Sequence, residues 1–233
     1  RSDLDSGLDY GTIAISKYRK SDGTNSWLVT IPGTDGKHDS PFGWPQNVEL
    51  MSSDSKQRME ADSARMVQEA MKQAGIKSNE PVALIGHSQG GIVAATIASD
   101  LKDDYDIEHV VTAGSPVANH PIPEKTWVTS VEMDDELVAA LDGAANPSSD
   151  HWLTVRGTAS KSSSNQESTF AGTPVTDAPD NKEITHWLKY HQAAYQNATD
   201  MGSTAVNTHE RHFDEIIDGD LQEVMYFEGR MSK

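Results

Sequence analysis

The chain has 233 residues, 36% hydrophobic and 24% charged, which suits an ordinary globular protein with room for one α/β core. It has no cysteine, so disulfides, thiolate metal sites and a cysteine nucleophile are excluded. A net charge of −17 lacks the basic footprint that nucleic acid needs and disfavours anionic membrane surfaces, and no apolar run reaches the ~20 residues of an integral membrane segment.

The first residue is Arg1 rather than methionine, consistent with an N-terminal segment removed or left out, and neither a secretory signal nor a compartment can be read. Residues 1–10 are acidic and turn-like. Asp3, Asp5 and Asp9 do not follow a calcium-loop spacing and read as a solvated terminus. Residues 11–19 and 26–31 alternate as strands around the turn Ser21-Asp22-Gly23-Thr24. The second strand runs into Pro32-Gly33-Thr34, and a loop with Phe42 and Trp44 follows.

An amphipathic helix is predicted from about Asp54 to Ala74, with Met59, Met66, Val67, Ala70 and Met71 on one face and Gly75 as its stop. Pro81 to His87 is an apolar run suited to a buried parallel strand, and Gln89 to Ser99 is a helix of small and apolar residues. Strands are then predicted over Ile107–Ala113, Trp127–Met133 and Trp152–Val155. Lys161 to Pro179 is rich in Ser, Thr, Gly and Pro and reads as part of a flexible flap or insertion over about 144–183. Helices over 185–199 and 205–217 and an edge strand from Leu221 to Phe227 complete the chain. The alternation is that of an α/β protein: a mostly parallel sheet flanked by helices, a three-layer sandwich, in a single domain over 1–233.

The most informative stretch is Gly86-His87-Ser88-Gln89-Gly90, where strand gives way to helix. This strand–turn–helix pattern is a nucleophile elbow. A serine in so tight a turn needs neighbours without side chains, so that strand and helix backbones can pass closely. The turn lifts the hydroxyl above the sheet and sets it at a helix N-terminus, whose free N–H groups favour developing negative charge. Ser88 is the expected nucleophile.

Such a hydroxyl needs a base, usually a histidine oriented by a carboxylate, on loops beyond the carboxyl ends of the strands. Asp134-Asp135-Glu136 follows the Trp127–Met133 strand and offers the acid. Among nine histidines, His87 sits inside the elbow and cannot fold back as the base. His109 starts a buried strand, His38, His120 and His151 come before the acid or too early after it, and His209 and His212 read as a hydrated helix face without a third metal ligand. His186 and His191 remain. His186 is favoured because it opens a helix, whereas His191 falls mid-helix on the face of Leu188 and Tyr195. The oxyanion hole is expected from the backbone N–H groups of Gln89 and Thr34. No cofactor or metal is called for.

Together with Ala113-Gly114-Ser115-Pro116 and Leu137-Val138-Ala139-Ala140-Leu141-Asp142-Gly143, these motifs resemble α/β-hydrolases of the bacterial esterase/lipase type, distantly like class 3 lipases and cutinase-like enzymes. In such relatives the acid is an Asp two residues before a Val-Pro step. That position falls on Glu136 here, with Ala139 in place of Pro, so Asp135 is its rival. The resemblance implies a serine hydrolase acting on a small-molecule carboxylic ester. It fits His186, followed by Tyr190, and His191, followed by Tyr195, equally well, so the expected Ser88–His186–Glu136 triad takes its base from the reading of the residues, with His191 the alternate. Phe42, Trp44, Trp152 and Trp187 are candidates for the walls of an acyl pocket. An acyltransferase or thioesterase on the same fold, or a non-catalytic binding module, is the alternative; the oligomeric state is unknown.

Overall fold

A computed structural model describes residues 12–33, 62–133, 145–157 and 188–228. These contain seven strands, β1 (Thr12–Arg19), β2 (Asn25–Ile31), β3 (Pro81–His87), β4 (Asp106–Ala113), β5 (Trp127–Met133), β6 (Trp152–Gly157) and β7 (Asp220–Glu228). They form one sheet in the order β6-β5-β4-β3-β2-β1-β7. β2 through β6 are mutually parallel, and β1 is antiparallel to both of its neighbours. The sheet is thus mostly parallel, as predicted.

Side chains alternating along β3 serve two layers. Val82 and Leu84 enter a core with β1, β2 and the helices α1 (Asp62–Ala74) and α2 (Gln89–Asp100). Ala83 and Ile85 point the other way and meet Phe213 and Ile216. Those two residues belong to α4 (Thr204–Ile216), which with α3 (Leu188–Asp200) covers the opposite face. The predicted three-layer sandwich is the observed one.

Local chemistry explains the ends of the elements. Gly75 stops α1 at φ 85°, a conformation that costs a glycine little. The Ser203 hydroxyl caps α4 by accepting from the Val206 N–H at 3.4 Å. α2 has apolar residues all round and lies against β3, β4 and α1, with Gln89 through Ser99 buried. A helix so enclosed is held by packing on every side, and its N-terminus is fixed where β3 ends. The beginning of the predicted first helix, 54–61, lies outside the described residues, as do Asp3, Asp5 and Asp9 and most of the expected flap.

Candidate active site

β3 delivers the chain to Ser88, whose φ of 56° and ψ of −123° make it the one non-glycine residue with positive φ among the described residues. Backbone strain of this kind persists only where the surroundings enforce it. Here the enforcement is steric. A Cβ built on Gly86 would overlap the backbone of Gly90 and Gly91, and one on Gly90 would overlap the carbonyls of Ile31 and Pro32. The glycines therefore let β3, α2 and the end of β2 converge on one point, with Ser88 at the apex.

The Ser88 backbone is tied to its neighbours on both sides. Its N–H donates to the Ala113 carbonyl at 2.9 Å. Its carbonyl accepts from Gly91 N–H at 3.1 Å, from Ile92 N–H at 3.3 Å, and from the Ser115 hydroxyl at 2.8 Å. Gln89, fully buried, is the first residue of α2, so its N–H belongs to the first turn of a helix and has no carbonyl four residues back within that helix to donate to. Gly33 passes directly over the elbow: a Cβ there would lie 3.1 Å from His87 Nδ1 and 3.7 Å from Ser88 Cβ. The chain leaving β2 is thus already beside the serine one residue before Thr34, which itself lies outside the described residues. The sequence predicts a hydroxyl lifted off the sheet, yet Ser88 is only 2% exposed.

His87 follows the strand alternation and faces α3. Its ring meets that of His191 edge-on, centroids 5.6 Å apart at 62°. His191 is fully buried in this contact and fixes the N-terminal part of α3 beside the elbow. His186 and Trp187 immediately precede that helix and lie outside the described residues, as do Asp135, Glu136, Phe42 and Trp44.

The flanks of the acidic segment are visible, and they are tied together. Asn146 donates to Glu132 Oε1 at 2.7 Å and to the Thr154 hydroxyl at 3.0 Å, while Ser130 donates to the same Glu132 oxygen at 3.1 Å. Arg156 lies 3.8 Å from the other carboxylate oxygen. Sequence reasoning missed this clasp, because none of its members belongs to a motif.

Trp152 is misplaced as a pocket wall. It opens β6, in register with Val128, which pairs with Val110, which pairs with Leu84. It therefore stands about 13 Å back along the strands from Ser88 and about 14 Å across them, at the amino ends rather than the carboxyl ends.

His209 and His212 also differ from expectation. They are not a hydrated face but turn into the sheet, where His209 is 4% exposed. His209 Nε2 lies 3.1 Å from the Asp150 carbonyl, and its Nδ1 3.1 Å from the Thr129 hydroxyl. That hydroxyl lies 2.8 Å from His109 Nε2, and His109 Nδ1 lies 2.9 Å from His212 Nδ1. A carbonyl only accepts, so with neutral rings the proton order is forced. His209 donates to Asp150, Thr129 donates to His209, His109 donates to Thr129, and His212 donates to His109. Trp127 stacks between His212 and His151, at 4.2 and 4.6 Å. Among the described residues no group of three or more His, Asp or Glu is placed to hold a metal.

Burial holds the pKa of His109 well below the ordinary histidine value, helped by the neighbouring His212 and His209. His209 and His212 are lowered too, first by burial, with the Asp150 carbonyl and Glu215 respectively opposing. A lowered folded-state pKa means that only the unfolded chain takes the proton. Stability is therefore complete above the unfolded value of about 6.5 and is lost as pH falls from there toward the folded values. The urea midpoint is expected to be lower at pH 5.5 than at pH 7.5, and His109→Gln should flatten that dependence. A midpoint unchanged across this range would contradict the neutral chain.

A family model described as a PGAP1-like alpha/beta domain matches residues 47–170, just over half of the chain, with the elbow and β4 to β6 inside the match. No curated protein matches the sequence.

Proposed function

Because the chain belongs to the PGAP1-like alpha/beta domain family, within the α/β-hydrolase superfamily, we propose that it is a serine hydrolase that cleaves short- or medium-chain carboxylic esters through an acyl-enzyme on Ser88. The observation that carries this reading is the positive φ of Ser88, enforced by glycines on either side, at the start of a buried helix. A serine is rarely kept in that conformation without a use for it.

In this mechanism His186 takes the Ser88 proton as the oxygen attacks the ester carbonyl, and Glu136, or Asp135 in its place, holds the imidazole in the required tautomer. The N–H groups of Gln89 and Thr34 receive the oxyanion. His186 then protonates the leaving alcohol, and a water activated by the same ring hydrolyses the acyl-enzyme. The position of Gly33 over Ser88 supports the Thr34 assignment, and the anchoring of α3 beside His87 supports His186, five residues before His191. His191, buried with its ring edge-on to His87, serves as a positioning residue. Phe42, Trp44 and Trp187 are the proposed pocket walls. The 2% exposure of Ser88 supports small acyl groups, and the charge of −17 supports neutral or cationic substrates.

The test is covalent labelling with a fluorophosphonate, followed by peptide mass mapping. A single adduct on the peptide that contains Ser88 is expected; no adduct, or one elsewhere, would sink the reading. His186→Ala should lower p-nitrophenyl butyrate turnover by about 10³-fold or more, and His191→Ala by much less. The reverse ranking would make His191 the base.

A further inference from the structure

We propose that Ser115, at the exit of β4, is a positioning residue that sets the strength and direction of the oxyanion donor on Gln89; this rests on the serine-hydrolase reading above. The Ser88 carbonyl and the Gln89 N–H are two ends of one planar peptide unit, so whatever fixes the carbonyl fixes the donor. Ser115 is fully buried, and its hydroxyl reaches that carbonyl at 2.8 Å, with a longer contact of 3.2 Å to the Ala113 carbonyl.

The hydroxyl is not needed to satisfy a buried oxygen. The Ser88 carbonyl already accepts from Gly91 and Ile92, as a first helical carbonyl should. A third donor, arriving from a different strand, does something the helix bonds do not. It tethers the peptide plane to β4, whose Ala113 carbonyl holds the N–H of the same serine. It also draws electron density toward the carbonyl oxygen, which makes the N–H at the other end of the amide a better donor.

The turn carrying Ser115 is built for that approach. Gly114 adopts φ 62° and donates to the Val131 carbonyl at 2.9 Å, which anchors the turn to β5. Gly91 leaves the space that Ser115 enters, because a Cβ there would overlap the Ser115 side chain. The nucleophile is thereby clamped from the neighbouring strand through both its backbone groups.

Ser115→Ala weakens an oxyanion donor without removing it, so kcat for p-nitrophenyl butyrate is expected to fall about 10- to 100-fold, less than for outright loss of a donor. KM should stay within about twofold, since the interaction matters in the tetrahedral state rather than the ground state. Affinity for a boronic acid that mimics the tetrahedral species should fall in parallel, and Tm should move by only a few degrees. Ser115→Thr, which keeps the hydroxyl, should retain most of the wild-type kcat. An unchanged kcat in Ser115→Ala overturns the proposal. So does an unfolded Ser115→Ala protein, or a Ser115→Thr loss equal to that of alanine, because each makes the residue structural. Failure of the underlying reading shows differently: the wild-type protein then takes no fluorophosphonate at Ser88.

Discussion

Ser88→Ala is expected to reduce ester turnover by about 10⁴-fold or more and to leave the fold in place. Alanine keeps the Cβ that already tolerates φ 56°, so the elbow geometry and the bonds from Ser88 to Ala113, Gly91, Ile92 and Ser115 survive. What disappears is the one atom proposed to form the acyl-enzyme. The residual rate would report what the helix start and the loop at Gly33 contribute by binding alone. Steady-state kinetics beside a thermal melt makes the comparison; an unchanged Tm with abolished turnover is the expected pair, and turnover near the wild-type value would end the nucleophile assignment.

Gly86→Ala and Gly90→Ala are expected to prevent folding. The atoms that a new methyl would meet are backbone atoms of α2 in one case and of the end of β2 in the other, and backbone cannot rotate aside as a side chain can. Relief would require β3, α2 and β2 to part where Ile31, Leu84, Ile92 and Val93 share one core cluster. The cost should exceed the ~3 kcal/mol at the upper end of ordinary overpacking, a large share of the stability of a typical domain. Gly23→Ala is the control. It has φ 87° but nothing within 4 Å of its added Cβ, so it should lose only about 1 kcal/mol. Soluble yield and urea midpoints distinguish the two classes. A Gly86→Ala protein as stable as the control would mean that the crowding at the elbow yields easily.

The same contrast explains how much could be read beforehand. Strand and helix periods were legible because each element buries one face or is buried entirely: Trp127–Met133 was predicted with the bounds observed, and the predicted edge strand from Leu221 falls inside β7. The elbow was legible because glycine at two fixed spacings around a serine answers a steric need that few other arrangements share. Polar partnerships between distant segments were not. Nothing in a linear pattern says that His209 and His212 will meet His109 and Thr129, or that Asn146 will reach Glu132, because those bonds depend on the placement of whole layers. Trp152 was misread for a related reason. Its apolar character was clear, but which end of the sheet it occupies follows from strand direction and register. Ser115 stands in plain view within Gly114-Ser115-Pro116, but its bond to the Ser88 carbonyl depends on β4 lying beside β3.

The sheet closes its far side with strands from opposite regions of the sequence: β7 pairs with β1 from Thr12 opposite Glu228 to Arg19 opposite Asp220. While the polypeptide is being synthesised, β1 has its hairpin partner β2 early, but its outer row of amides and carbonyls stays bare until residues 220–228 have left the ribosome. An uncovered row of that kind invites pairing with other chains. Nascent chains that stall after α4 and before β7 should therefore be the ones that engage chaperones or aggregate, although they already contain the entire turn around Ser88.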